Sequence, residues 1–510
     1  AAMVLLESDT EPTENTIAKV LGVGLSCDAY HPAAPHPEGA GGIAAMRAAI
    51  KEARISHSDI DYINLHGTGT FHNDLSEARA INTIFGGAKP PLSSVKGAFG
   101  HSLAAAGAIE TAVSASCMEG KLIPANTGCG VPDPDLNLDP VLKPSVAELH
   151  TVLSNSFGFG GNNAAIILGS TAKDSKPFTP TPTADLAVAG CACLTGSGNA
   201  DQTLDALSRG QDCRGILPDN QISQKLSPNA VRRLKRLPRM GLSLAIAAYE
   251  DSGLSDAPSS IIFGTGWGPL SETYDFLQNL LESNEELTSP TNFVGSVHNS
   301  PAGQIAIHFE STGANITTVG DDYSFEQALM TAALLSNGMA VNNTLFVIGA
   351  DEHHEKLSHL FDRSVAMDTG RSDGGGALCI KKSGADPCPW IRIRTSFFER
   401  AESNSQVVSS LVSQLGGEEA MREKYGLIMP GIPLAFRNTG EKQLKDFLSC
   451  TGFANPVFDY RKLTGEYASA SATAAVLAVR FVQKGMIPEP LGGGKPCRLE
   501  GKGALIIGLG

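Results

Sequence analysis

Apolar positions along this chain follow two alternating rhythms. Short runs rich in Val, Ile and Leu, at Ile17–Val23, Tyr62–Leu65, Val152–Ser156 and Ala164–Leu168, have strand length and composition. Between them, Gly41–Ala53, Asp74–Phe85 and Ser102–Glu119 carry apolar residues at helical spacing. Strands that alternate with helices predict an α/β layered fold. The stretch "KDSKPFTPTPTADL", 173–186, is rich in Pro and Thr, has no apolar period and reads as a linker. Beyond it the same alternation resumes and runs longer. The N-terminal "AAMVLLESDTEP" lacks the basic stretch of a signal peptide and reads as a strand entered in the middle.

The chain also repeats itself. "VKGAFGHSLAAAGAIETAVSASCMEGKLIP" (95–124) and "YRKLTGEYASASATAAVLAVRFVQKGMIP" (460–488) share one plan: a basic residue, a Gly with a polar residue, a small-residue helix, then Gly and Ile-Pro. "LHGTG" (65–69) aligns with "FRNTG" (436–440), and "AMVLLES" (2–8) with "ALCIKKS" (377–383). About 190 residues precede that strand in the second copy and have no counterpart in the first. The sequence therefore reads as the latter half of one unit (1–172), the linker (173–186), and a nearly complete second unit. That unit divides into a first half (187–383) and a degenerate second half (384–510). On this internal comparison the chain looks cut at both ends.

Composition narrows the function classes. A length of 510 residues suggests about three compact units, and 42% hydrophobic against 18% charged residues excludes a disordered chain. A net charge of −14 argues against nucleic-acid binding. The one basic run, Arg232-Arg233-Leu234-Lys235-Arg236, reads as a solvated helix face. Ten cysteines without a CxxC pair fit reduced thiols in a cytoplasmic protein, and no apolar run reaches the length of a membrane span.

The chemistry lies in three segments of the first copy: "HGTGT" (66–70), "KGAFGH" (96–101) and "SFGFGGNN" (156–163). A histidine at the end of an apolar run, followed by a glycine–threonine turn, faces a reacting group rather than a core. In this order and spacing the segments resemble the β-ketoacyl synthases, condensing enzymes of the thiolase fold, across most of residues 1–169. The resemblance implies α/β/α/β/α layers and a decarboxylative Claisen condensation of malonyl-carrier protein with an acyl thioester, in fatty-acid or polyketide synthesis. It implies substrates carried on the phosphopantetheine of acyl carrier protein, no bound cofactor or metal, and a ketosynthase-type dimer, within one chain or between chains. Charge grows on the thioester oxygen as the enolate forms, so the site needs neutral donors aimed at it. His66 and His101 can supply them. His101 begins the helix after Gly100, where a helix N-terminus disfavours the imidazolium. By resemblance Lys96 is the buried lysine that orders the site, and Phe159 supplies a backbone N–H and gates the acyl tunnel. Thr68 and Thr70 hold the phosphopantetheine arm, and Asn163 ties the loop. The nucleophile should be a cysteine at a strand-to-helix turn, and no cysteine here stands in such an elbow. Cys117 falls inside a helix, where packing explains it.

The second copy resembles the nucleophile half of the same family, followed by its C-terminal half, with the chemistry lost. Counting from Gly313 puts the cysteine position at Asp322, give or take one residue (Asp321 or Tyr323). Arg437 stands for the first histidine, Arg461 for the lysine and Glu466 for the second histidine. This copy is expected to be catalytically silent, like a chain-length-factor subunit, with the four charges, summing to zero, paired in its former site. Elsewhere, "DEHHE" (351–355) and "GTGWGPL" (264–270) are weak metal and nucleotide motifs, and His298 reads as a core residue. The rival reading is a non-catalytic scaffold that dimerises and docks carrier protein.

Overall fold

A computed structural model describes residues 2–7, 13–171, 186–286, 289–336, 343–368, 370–382, 390–391 and 404–510. The predicted linker, 173–186, lies outside these residues save for Leu186. Backbone packing divides the chain into one unit of residues 1–180 with 306–315, and a second of 181–305 with 316–510.

The first unit is built on a five-stranded sheet. Its strands are β1 (Lys19–Cys27), β2 (Tyr62–Asn64), β3 (Leu92–Ser93), β4 (Thr151–Gly158) and β5 (Asn162–Gly169), in the order β1-β5-β4-β2-β3. β5 runs antiparallel to both β1 and β4, whereas β2 is parallel to β4 and β3. Neighbouring residues along each strand go to opposite cores. Ile63, Leu153 and Ile167 join Ala45, Met46 and Ile81 of helices α1 (Ala40–Ala53) and α2 (Phe71–Phe85). Tyr62, Val152 and Leu168 join Cys117 and Met118 of the helix Ala106–Gly120. Where both faces are covered, as over β2 and most of β4, the strands read as continuous apolar runs, whereas β1 at the edge alternates and leaves Val20, Val23 and Leu25 exposed. α1 lies directly on β1. A Cβ on Gly24 would stand 1.8 Å from the Ala45 carbonyl oxygen, so only glycine admits the helix there.

Residues 2–7 form no strand, contrary to the sequence expectation, and Met3, Leu5 and Leu6 are exposed. Their counterpart in the second unit is held between two neighbouring strands. Here no described strand of the unit flanks them, so the apolar run closes no ladder.

In the second unit, β6 (Leu186–Thr195), β7 (Ser260–Gly264), β8 (Asn315–Thr318), β9 (Thr344–Asp351), β10 (Gly374–Lys382) and β11 (Trp390–Ile391) pair in the order β8-β7-β9-β10-β6-β11. A smaller parallel pair joins β12 (Tyr425–Gly431) to β13 (Gly503–Gly508). The helix Ala470–Lys484 is almost wholly buried. Its small residues let it sit on the sheet, where a Cβ at Gly376 would meet the Ala472 carbonyl oxygen at 2.3 Å. The basic run is not a solvated helix face. It spans the break between helices Pro228–Arg233 and Arg236–Ser252, with Leu234 buried. Lys235 pairs with Asp275, and Arg236 pairs with the fully buried Asp373. Among the described residues, no helix is long and apolar enough to cross a membrane.

Candidate active site

His66 follows the end of β2, where Gly67 (φ 40°) and Gly69 (φ 72°) turn the chain toward α2 in a backbone region that favours glycine. The turn is anchored from α2. The buried Glu77 carboxylate accepts the backbone N–H groups of His66 at 2.9 Å and Gly67 at 2.8 Å, and the Asn155 side chain at 3.2 Å. After β3, Lys96 opens the short helix α3 (Lys96–Phe99), which Gly100 (φ 75°) ends, so that the chain reverses into His101.

Lys96 is buried and organises the centre. Its ammonium donates to the His66 carbonyl at 2.5 Å, lies 3.2 Å from His66 Nδ1, and pairs with Glu110 of α4 (Ala106–Gly120). An ammonium can only donate, so His66 Nδ1 accepts and the ring proton sits on Nε2. His101 Nδ1 accepts the Leu103 N–H at 3.2 Å, which leaves its proton on Nε2 as well. The two rings meet edge to face with centroids 5.5 Å apart. Burial, then Lys96 and His101, push the His66 imidazole down to about 3. Burial, then Lys96, lower that of His101. Both are thus neutral N–H donors at physiological pH. The cause differs from the sequence expectation for His101. α4 starts at Ala106, five residues further on, so burial and the ammonium act in place of a helix terminus.

A cavity of about 480 Å³ opens beside this centre, lined by Gly67, Thr68, Lys96, His101 and the loop from Asn126 to Asp133. Thr68, in this lining, shares a hydroxyl hydrogen bond of 2.8 Å with Thr70. Phe159 stands in the turn between β4 and β5 and is 42% exposed, and the ring that packs on His66 is Phe157, at 5.9 Å. Asn163 ties that turn by donating to Asp28 at 3.0 Å and to the Gly161 carbonyl at 2.9 Å. Glu77 and Glu110 went unread in the sequence. Their signal is a carboxylate on the inward face of each helix, eleven residues after His66 and fourteen after Lys96.

The second unit draws its four substituted residues together. Asp321 adopts φ 47° at the turn into the helix Ser324–Ser336, and Asp322 follows it. Asp322 accepts from Arg461 at 2.5 Å, Glu466 lies 3.2 Å from Arg461 and 3.5 Å from Arg437, and Arg437 pairs with Asp459. Tyr323 is 52% exposed. Asp459 makes the charge unequal, contrary to the zero sum of the four.

Strand register also corrects one equivalence. Ile63 pairs with Leu92 as Ile428 does with Val457, a separation of 365 positions in each case. The same separation carries Lys96 onto Arg461 and His101 onto Glu466. It carries His66 onto Gly431, not Arg437, which instead starts the helix Arg437–Thr451. A Cβ on Gly431 would stand 2.0 Å from the Tyr460 hydroxyl oxygen, so the tyrosine occupies that space. The weak motifs are likewise consumed internally. Asp351 accepts the Gly266 and Trp267 N–H groups of "GTGWGPL" at 2.9 and 3.1 Å, and Glu352 accepts from Ser271. His298, expected in the core, is instead exposed, with its ring lying against Gly268 at the edge of that turn.

Two neutral histidines thus converge beside a buried ammonium in the first unit, one after β2 and the other after the short helix that follows β3. Residues 17–129 match the β-ketoacyl synthase C-terminal domain and residues 216–370 the β-ketoacyl synthase N-terminal domain. It is 36% identical over 172 residues to 3-oxoacyl-[acyl-carrier-protein] synthase 2 of Mycobacterium bovis, covering 33% of this chain and 41% of that protein. It is 42% identical over 167 residues to the synthase of the same name from Staphylococcus aureus, covering 32% of this chain and 41% of that one. The chain thus spans 41% of the length of these curated relatives. Among solved structures, "PfaC Keto synthase-Chain length factor" shares the fold, with a TM-score of 0.70 at 18% identity over 92% of this chain and 59% of that one.

Proposed function

We propose that the first unit supplies the donor half of a β-ketoacyl-[acyl-carrier-protein] synthase site, and that the second unit is its catalytically silent, chain-length-factor-like companion. The pairing of His66 and His101 as neutral Nε2–H donors carries this reading. Malonyl decarboxylation puts charge on the thioester oxygen. Two fixed N–H donors stabilise it without the strong ground-state grip of a full cation. The carbanion so formed attacks an acyl group held on a cysteine, which no described residue of this chain presents at a strand-to-helix elbow. The cavity beside His101, with Thr68 in its lining and Thr70 bonded to Thr68, would take the phosphopantetheine arm of acyl carrier protein, and Phe159 would gate the acyl chain. No bound cofactor is required. The silent reading of the second unit rests on its ion cluster, because Asp322 cannot carry an acyl group as a thioester and Arg461 and Glu466 cannot replace the neutral donors.

The test uses the protein as the cell makes it, given malonyl- and acyl-carrier protein. His66→Ala should raise the decarboxylation barrier by about 2.7–4 kcal/mol, the cost of one oxyanion donor. Asp322→Ala should leave turnover of the first unit's site unchanged at saturating substrate. Unaltered decarboxylation in His66→Ala, in a protein that still folds, would refute the assignment.

A further inference from the structure

The ion cluster of the second unit holds more acid than base. Three carboxylates, Asp322, Asp459 and Glu466, touch two guanidiniums, Arg437 and Arg461. Arg461 is 2% exposed and Glu466 6%, so the centre of the cluster is buried, while Asp322 and Arg437 at its edge are partly exposed. Further groups bear on the same centre: Glu326 from the helix Ser324–Ser336, Asp362 from the cap of the helix Arg363–Met367, and the buried Tyr460 hydroxyl. None adds a cation. Two polar atoms there, Glu326 Oε2 and Arg461 Nε, are buried with no hydrogen-bond partner among the described residues. A buried site with three negative charges on two positive ones is destabilised by the unmatched charge.

The acid that should take up a proton is the one held most loosely. Asp459 accepts two backbone N–H groups besides Arg437, and Asp322 sits 2.5 Å from Arg461. Glu466 has only the longer contacts, 3.2 and 3.5 Å, each to a guanidinium that already holds another carboxylate.

We propose that this cluster is a proton-operated clamp, in which one proton on Glu466 balances the three carboxylates and two guanidiniums in direct contact and draws together the first turn at Arg437, the helix Tyr460–Thr464 and the turn at Asp322. Loss of that proton to water leaves an uncompensated buried charge and loosens the Arg437 turn, whose contact with Glu466 is the longest. Burial agrees with the geometry: it pushes Glu466 up to about 7, against the lowering by Arg461 and Arg437 and with Asp322 adding to the rise. The sign follows. A carboxyl raised above its ordinary value gives its full stability below that value, and the stability is lost as pH rises toward the raised one.

Thermal unfolding of the full chain between about pH 5 and about pH 8, wild type against Glu466→Gln, tests this. Glu272 and Glu352 are also pushed up, to about 7 and about 8, so the difference between the two proteins is read rather than either slope. The variant should gain on the wild type by a few °C as pH rises, at roughly 2–4 °C per kcal/mol for a unit of this size. A difference that stays constant or shrinks with pH would overturn the clamp. Should the variant not fold, hydrogen exchange in the wild type decides. Corrected for chemical rate, amides of residues 437–440 should lose protection from about pH 5 to about pH 8 relative to those of β9. Equal slopes would overturn it.

Discussion

At the scale of single residues, the first site is governed by what each polar group is denied. Lys96 has no water to give its charge to, so it spends its donors on Glu110 and on His66, and thereby sets the tautomer of the ring. The two histidines were legible in sequence because each sits beside a glycine turn, and Lys96 through the resemblance carried by the segment 96–101. Glu77 and Glu110 were not, because an acid on a helix looks like a solvated residue until tertiary packing turns it inward. The state of His66 is directly measurable. Its imidazole should show no titration above about pH 5 by NMR, and a midpoint near its ordinary 6.5 would remove the neutral-donor argument. Stability carries the matching sign. The unfolded ring takes up a proton below 6.5 while the folded one resists until about 3, so stability of this unit falls across that interval as pH drops.

At the scale of elements, the repeat in the sequence is real where turns fix it and slips where they do not. Gly100 and Gly465 end equivalent short helices with φ of 75° and 92°, and the residues on either side keep their correspondence. Between strand and helix the second copy has no counterpart of the Gly67–Gly69 turn, so similar letters at 436–440 matched His66 to Arg437, six places beyond Gly431, its counterpart by strand register. Only strand pairing could correct that. The two glycines predict unequal effects of one substitution. Gly100→Ala meets no atom within 4 Å and bears only the strain of its positive-φ, extended-ψ backbone (φ 75°, ψ 172°), which glycine alone adopts readily, about 1–3 kcal/mol. Gly465→Ala adds a clash, its Cβ falling 2.1 Å from Ser372 Oγ, and should cost more. Denaturant unfolding of both variants checks the order, and equal losses would show that Ser372 yields freely.

At the scale of the whole molecule, the question is where an acyl group could reside. Condensation needs a thiolate before it needs donors, and thiolates form where a cysteine is exposed to positive potential. Four buried thiols of the second unit lie the other way. Burial pushes Cys191 up to about 12, Cys213 to about 11 and Cys379 to about 12, and raises Cys193 further still. In the first unit burial also raises Cys27 and Cys117, the latter inside α4. Cys129 lines the cavity, on a loop rather than at the start of a helix, so it has no helix dipole to stabilise a thiolate. The position that should hold the nucleophile in the second unit is an aspartate bound to Arg461. Residues 1–510 incubated with acyl- and malonyl-carrier protein should therefore give no acyl-enzyme and no ketoacyl product. Mass spectrometry of the digested chain reads this directly. Unmodified peptides for the nine described cysteines are expected, and a stoichiometric acyl adduct on any one of them would place the nucleophile inside this chain and overturn the division of labour between donor half and silent companion.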